Sequence, residues 1–226
     1  MDNERDFLAF ETVMADRHSC RAFLPKPVPV DTINRIVQSA QKVPTWCNAQ
    51  PWQMIITSGA ETDRFRETMT NAMTSASHNS DIDFPAGYSG VYKARRSVCG
   101  WQLYGAVGIT KGDRAGSTQQ MSENFRFFGA PHVAIITTEV ELGPYGVLDC
   151  GGFVTGFTLA ATAAGVATIA QAALAGYANE IRTQFGISEN RQIVCAISFG
   201  YEDTAHPANN FRTSRADLSE VIDWRS

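Results

Sequence analysis

The hydrophobic positions change period along the chain, and each change marks an element. Phe7, Leu8, Phe10, Val13 and Met14 fall on one helical face. In VDTINRIVQSAQKV, Ile33, Ile36, Val37 and Ala40 keep helical spacing, Asp31 is a candidate N-cap, and Pro44 stops the helix. WQMIITS, Trp52 to Ser58, reads as a strand, and a helix follows from Glu61 to Ala76. Ser77 to Gly90 has no period and reads as a loop. Tyr92 to Ile109 and Thr118 to Phe128 read as helices. APHVAIITTE is a buried strand carrying Val133, Ile135 and Ile136. DCGGFVTGFTLAATAAG is apolar nearly all round, which marks a buried helix ending at Gly165. Short strands are expected at Ala167 to Ala170 and Ile193 to Phe199, with a helix from Asn179 to Phe185 between them. The last stretch is polar with apolar anchors. No repeat, low-complexity tract or linker divides the chain, so one domain is expected over residues 1–226.

Composition narrows the classes. A chain of 226 residues with 44% hydrophobic and 19% charged residues can bury a sizeable core. A net charge of −4 argues against a general nucleic-acid binder. No apolar run reads as approaching membrane-spanning length, and MDNERDFLAF lacks a basic-then-apolar leader pattern. Cys20, Cys47, Cys99, Cys150 and Cys195 form no CxxC pair, so neither a disulfide framework nor a zinc site is expected, and a reducing cytoplasm is the expected compartment. Four scattered histidines form no ligand pair, so no metal is expected.

Three stretches carry candidate chemistry. RHSCRAF, Arg17 to Phe23, and FRTSR, with Arg212 and Arg215, offer guanidinium, hydroxyl and backbone N–H donors. That kit suits an anion such as a phosphate, and it also suits a plain solvated basic patch. PTWCNAQPW, Pro44 to Trp52, packs tryptophans, amides and a cysteine into one connection. GGFVTG lies inside the apolar helix pattern, where small residues let helices approach closely, and it lacks a phosphate-loop context.

Taken in order, five segments resemble the FMN-dependent nitroreductase family. DRHSCRAFLPKPVP is similar to its opening R-x-S-x-R-x-F and Pro-rich turn, and AQKVPTWCNAQPWQMIIT to its helix, P-S-x-x-N-x-Q-P-W loop and strand. ENFRFFGAPHVAIITT, DCGGFVTGFTLAATAAGVATIAQ and the SFGYED to NNFRTSRADLSEVI region match the later parts. The likeness runs from about Asp16 to Trp224, and the loop and tail look most like the branch that reduces nitrobenzoates or dinitroanilines.

The resemblance implies an α+β fold: a mixed, mostly antiparallel central sheet flanked by helices, in an intertwined homodimer with FMN at the subunit interface. The long apolar helix would be central to the dimer, and the tail would cross onto the partner. Arg17, His18 and Ser19 would hold the phosphate and ribityl chain, with Arg215 and Arg212 from the tail. Arg21 would reach the pyrimidine side of the flavin. Pro44, Thr45, Trp46 and Asn48 would touch the flavin bound mainly by the other subunit, with Gln50 in support. Ala170, Gln171, Ala172 and Ala173 would pass close to the ring. No catalytic side chain is implied, because the chemistry occurs at flavin N5. NADPH or NADH would supply hydride, and a nitroaromatic would accept it in two-electron, ping-pong steps to nitroso and hydroxylamine products. Tyr88, Tyr92, Trp101, Tyr104, Phe125 and Phe128 are candidates for a cover over the ring, core packing being the other reading of each. Cys20 and Cys47 read as small packing residues. Flavin or enone reduction, dehalogenation, flavin breakdown, flavin storage without turnover, and a flavin-free structural dimer stand as alternatives.

Overall fold

The computed structural model describes residues 3–225. Met1, Asp2 and Ser226, the outermost positions of the domain expected over 1–226, lie outside the described residues. Helix α1 (Asn3–Asp16) and the short strand β1 (Phe23–Leu24) precede α2 (Val30–Ala40), β2 (Gln53–Ser58) and α3 (Ala60–Ser75). Helices α4 (Gly90–Ala106) and α5 (Arg114–Ser122) lead to β3 (His132–Glu139) and the long α6 (Gly143–Ala163). Then come β4 (Ala167–Gln171), the short α7 (Ala172–Ala175), α8 (Ala178–Phe185) and β5 (Arg191–Glu202).

The sheet is built around β3 and β5. Strand β3 pairs antiparallel with β2, from Gln53↔Thr137 to Ser58↔His132, and antiparallel with β5 on its other side. Strand β4 joins β5 from Ala167↔Gly200 to Gln171↔Ala196, and β1 pairs with the far end of β5. Among the described residues the one parallel contact is a bridge, Ser19↔Thr168. Alternate residues of β3 enter different cores, which is why it reads as a continuous apolar run. Val133 and Ile135 pack with Phe65, Met69 and Ile181. Ala134 and Ile136 pack with Ile36, Phe153 and Phe157. Each fully buried side chain of this size contributes about 1.5–3 kcal/mol. The layers are therefore α2 and α6 on one face and α3 and α8 on the other.

Several boundaries differ from the sequence reading, each for a local reason. Asp31 is not the cap of α2; Pro29 is, and Asp31 sits in the first turn. Helix α4 starts at Gly90 and ends at Ala106, short of Ile109, where Gly108 takes φ +76°. Helix α5 starts at Arg114, because the Asp113 carboxylate accepts from Gly116 N at 2.8 Å. It stops at Ser122 and not Phe128, because Phe127 and Phe128 adopt left-handed φ of 60° and 53°. Helix α6 begins at Gly143 with Pro144 in its first turn, upstream of Asp149.

Helix α6 corrects a further expectation. Val140–Ala163 is long and apolar enough to cross a bilayer by length and composition. In the fold it is docked on the sheet through Cys150, Phe153, Phe157 and Ala161. Gly156 permits that docking: a Cβ there would lie 3.3 Å from Ala40 Cα and 2.7 Å from Val43 Cγ1. The small residues of GGFVTG thus serve helix packing. Outside this contact much apolar surface stays open. No residue of α1 or α4 is buried, and Phe7, Phe10, Tyr92, Leu148 and Trp224 are all exposed.

His132 ties β2, β3 and the segment before α2 together. Its Nδ1–H donates to Thr57 O at 3.1 Å, and its Nε2 accepts from Val28 N at 3.0 Å. The ring stacks on Phe199 at 5.1 Å. The bond from Val28 requires the neutral imidazole, and burial lowers the pKa against the bond to Thr57, which favours the charged form. The unfolded chain takes up this proton more readily than the folded one. The contribution is therefore present at neutral pH and is lost as pH falls below about 6.5, the unfolded value. We expect His132→Leu to cost about 2–4 kcal/mol in urea unfolding at pH 7, because Val28 N–H and Thr57 O lose their partner. The gap between variant and wild type should narrow as pH falls toward 5.

Candidate functional site

The segment from Arg17 to Arg21 lies along the free edge of β4. Cys20 N donates to Thr168 O at 3.0 Å beside the Ser19↔Thr168 bridge, and the Cys20 side chain is buried. From the other side, Asn209 braces the segment. Its Oδ1 accepts from Arg21 N at 2.7 Å, and its Nδ2 donates to Ala22 O and Asp203 O at 3.0 and 2.9 Å. The tail returns here, so Arg212 and Arg215 meet the start of the chain.

Together these residues line a cavity of about 370 Å³ that includes Arg17, His18, Ser19, Arg21, Arg212 and Arg215. Among the described residues no carboxylate lines it. Arg17 makes no side-chain hydrogen bond or ion pair among them. Arg212 donates to Asn209 O and Phe211 O, and Arg215 to Thr213 O, Thr213 Oγ1 and Ser214 O. Burial lowers the Arg17 pKa, and the nearby Arg215 charge pushes it the same way. Burial also lowers that of Arg21, whose guanidinium lies 5.5 Å from the centre of the Phe211 ring. Cations brought together without acids make a receptor for an anion with several oxygens. A carbonyl and a carboxylate face the two ring nitrogens of His18: Asp16 O at 2.9 Å and Glu202 Oε1 at 3.0 Å. Its side chain is thus braced within the chain.

A larger concavity of about 880 Å³ shares Arg21 and adds Arg66 and Arg126. Those two cations are already compensated, by Asp63 at 2.5 Å and Glu123 at 3.5 Å. The smaller cavity is the one left with net positive charge.

Beyond the bridge, β4 turns Ala170 outward and the start of α7 does the same with Ala172, with Ala173 half-buried. Gln171 points the opposite way. Its Nε2 donates to Asn124 O at 2.9 Å and its Oε1 accepts from Ser198 Oγ. The segment therefore presents backbone and methyl groups, with no long side chain in the way.

The loop Pro44 to Trp52 lies elsewhere. None of Pro44, Thr45, Trp46, Asn48 and Gln50 lines the arginine cavity of the same chain. Trp46, Asn48 and Gln50 are exposed, and Cys47, Asn48 and Gln50 adopt left-handed φ of 49°, 58° and 48°. Such conformations cost about 1–3 kcal/mol each and persist where neighbours impose them. Here Trp46 N donates to Asp149 Oδ2 at 3.2 Å, Gln50 N to Thr45 Oγ1 at 3.2 Å, and Gln50 Nε2 to Asn48 O at 3.1 Å. At the far end the buried Arg191 donates to Pro51 O at 3.3 Å while paired with Glu139 at 2.6 Å. The left-handed turn sends Cys47 to solvent, which corrects its reading as a packing residue. Trp52 stacks on Phe153 at 4.8 Å, in the core.

The aromatic candidates divide. Tyr88, Tyr92 and Trp101 are exposed on or beside α4, and Tyr104 is half-buried against Trp101 at 5.6 Å. Phe125 and Phe128 are buried and pack in the core, the other reading given for them; Phe125 packs on Tyr177 at 5.5 Å, and Phe128 also borders the larger concavity that shares Arg21. Sequence reading missed Asn209, Asp149, Arg191 and Glu202, the braces behind the site. Each acts through a partner about 100 residues or more away in sequence, so no local pattern betrays it.

A two-face-covered antiparallel sheet with an arginine-lined cavity at its edge defines a protein suited to a phosphate-bearing ligand. Residues 14–201 match the nitroreductase family. The chain belongs to that family. It is 36% identical over 220 residues to nitroreductase NfnB of Mycolicibacterium smegmatis, covering 94% of this chain and 91% of that protein. It is 31% identical to a 4-nitrobenzoate reductase of Pseudomonas putida, covering 91% of each. The crystal structure of the FMN-dependent nitroreductase NfnB from Mycobacterium smegmatis in complex with NADPH matches with a TM-score of 0.92 at 34% identity. That match covers 97% of this chain and 99% of that one.

The thiols of Cys20, Cys150 and Cys195 should be inert. Burial raises Cys20 and Cys195 to about 12 and Cys150 to about 11. At pH 8 iodoacetamide should leave these three unmodified in the native protein and label all five cysteines in urea, as read by peptide mass spectrometry.

Proposed function

We propose that this chain is an FMN-dependent oxidoreductase that uses NADPH to reduce nitroaromatic compounds to nitroso and hydroxylamine products. The observation that carries the reading is the cluster of Arg17, Arg212 and Arg215 around one cavity that no carboxylate lines among the described residues, at the edge of a strand that turns outward only alanine. The donor set fits FMN. Guanidinium groups and the Ser19 hydroxyl suit its phosphate and ribityl chain, and Ala170 and Ala172 leave room for a flat ring. Arg21 would place positive charge beside the pyrimidine edge, where reduction builds negative charge. When bound, FMN would supply the hydride-transfer chemistry, with NADPH as donor and the nitroarene as acceptor. The chain's own task is to bind, orient and exclude water. NADPH is the expected donor because the M. smegmatis relative was captured with it, and nitrobenzoates are the expected class because a relative bears that activity in its name.

The working unit in this reading is a homodimer with FMN at the subunit interface. The exposed apolar faces of α1, α4, α6 and the tail suit burial against a second copy. Trp46 and Asn48, remote from the cavity of their own chain, would then serve the partner's. Tyr88, Tyr92 and Trp101 would form the cover. The five cysteines form no disulfide, which suits a reducing cytoplasm.

Visible absorption under argon tests the whole reading. Purified protein should show flavin bands that bleach with NADPH and return when a nitrobenzoate is added. A colourless protein that takes up no added FMN would sink it. Arg215→Ala should weaken FMN binding about tenfold or more, through loss of charged hydrogen bonds, without lowering the melting temperature. Full flavin retention through gel filtration in that variant would count against Arg215.

A further inference from the structure

Trp46 is pinned and yet displayed. It keeps 60% of its surface exposed, although two groups of one helix fix it. We propose that Tyr145 and Asp149 on α6 form a two-point clamp that positions Trp46 as a wall of the flavin slot, and so set the grip on the ring and on the aromatic substrate stacked there. This rests on the FMN reading above. Residues 145 and 149 are four apart on a helix and share a face. From position 145 the phenol ring meets the indole at 4.6 Å, with the planes at 60°. From position 149 the carboxylate accepts Trp46 N–H at 3.2 and 3.3 Å. Asp149 forms no ion pair among the described residues, so its charge remains available to this N–H. Both clamp residues act through Trp46 and are positioning residues.

Two further observations give the clamp its task. The chain directly after Trp46 runs through left-handed Cys47, Asn48 and Gln50, conformations that hold only where the surroundings fix them. The far end of the loop is anchored separately, by Arg191 on Pro51 O. Cutting the Asp149 contact would therefore free the aromatic end of the loop and leave Trp52 seated on Phe153. A contact that served only the core would bury the indole, and this one leaves it facing outward.

The test compares Asp149→Ala with Asp149→Asn, and Tyr145→Ala with Tyr145→Phe, as holoenzymes. FMN dissociation constants come from fluorescence titration, and KM and kcat from nitrobenzoate turnover with NADPH. Asp149→Ala should raise the FMN dissociation constant about tenfold, the loss of one hydrogen bond to a charged acceptor. It should raise the nitrobenzoate KM several-fold and keep kcat within twofold. Asp149→Asn should fall between wild type and Asp149→Ala and closer to wild type, since the amide oxygen accepts the same bond without the charge. Tyr145→Ala should repeat the Asp149→Ala pattern and Tyr145→Phe should not, which carries the test if Asp149→Ala does not fold. Wild-type FMN affinity and KM in both alanine variants would overturn the clamp and leave the flavin reading standing. So would an asparagine variant as impaired as the alanine one. A wild-type protein that binds no FMN would overturn both.

Discussion

Strand β3 is buried on both faces, and the rest of the molecule is arranged to satisfy that. A strand with Val133 and Ile135 on one side and Ala134 and Ile136 on the other cannot sit at a surface. It recruits α2 and α6 to one face and α3 and α8 to the other. Its neighbour β5 then carries β4 on the far side, and β4 is left with a free edge. Unpaired backbone groups at an edge need partners. The Arg17–Arg21 segment supplies one when Cys20 N–H bonds Thr168 O. The position of the cationic cavity follows from sheet completion.

Once that segment is docked, electrostatics takes over. Buried Cys20 sits between exposed-side cations, and the tail adds Arg212 and Arg215 across the gap. Burying guanidinium groups and bringing them together, with no acid lining their cavity among the described residues, costs free energy; the Arg17 pKa is lowered first by burial and then by the Arg215 charge. The adjoining larger cleft shows the contrast, since Arg66 and Arg126 each have a carboxylate. Stability alone would favour the second arrangement. The first suits a ligand that brings its own negative charge.

The loop from Pro44 to Trp52 follows the same logic in backbone terms. Three left-handed non-glycine residues are held between Asp149 at one end and Arg191 at the other. The result is a rigid, exposed presentation of Trp46 and Asn48, which nothing in the chain's own core requires. Large apolar residues remain uncovered on α1, α4, α6 and the tail, the surface that the proposed dimer would bury.

Much of the fold was legible in order and type, because burial on one or two faces writes its period into the sequence. WQMIITS, APHVAIITTE and the Asn179–Phe185 helix fall where their patterns put them. The arginines at both ends of the chain were legible as candidates by residue type, and the five segments in order marked the family. Legibility failed where conformation depended on distant partners. Phe125 and Phe128 left cover and core packing both open in the sequence, and their burial, with the contact of Phe125 on Tyr177, is seen only in the fold. Cys47 looks like a small packing residue, yet the strained loop turns it outward. The sequence by itself determined the elements, the core and the chemical kit. Only the tertiary structure decided which cations share a cavity without acids, that Gln171 faces Ser198, and that Asp149 holds Trp46. Those outcomes rest on hydrogen bonds and charges between residues up to nearly 200 positions apart, where no local period can record them.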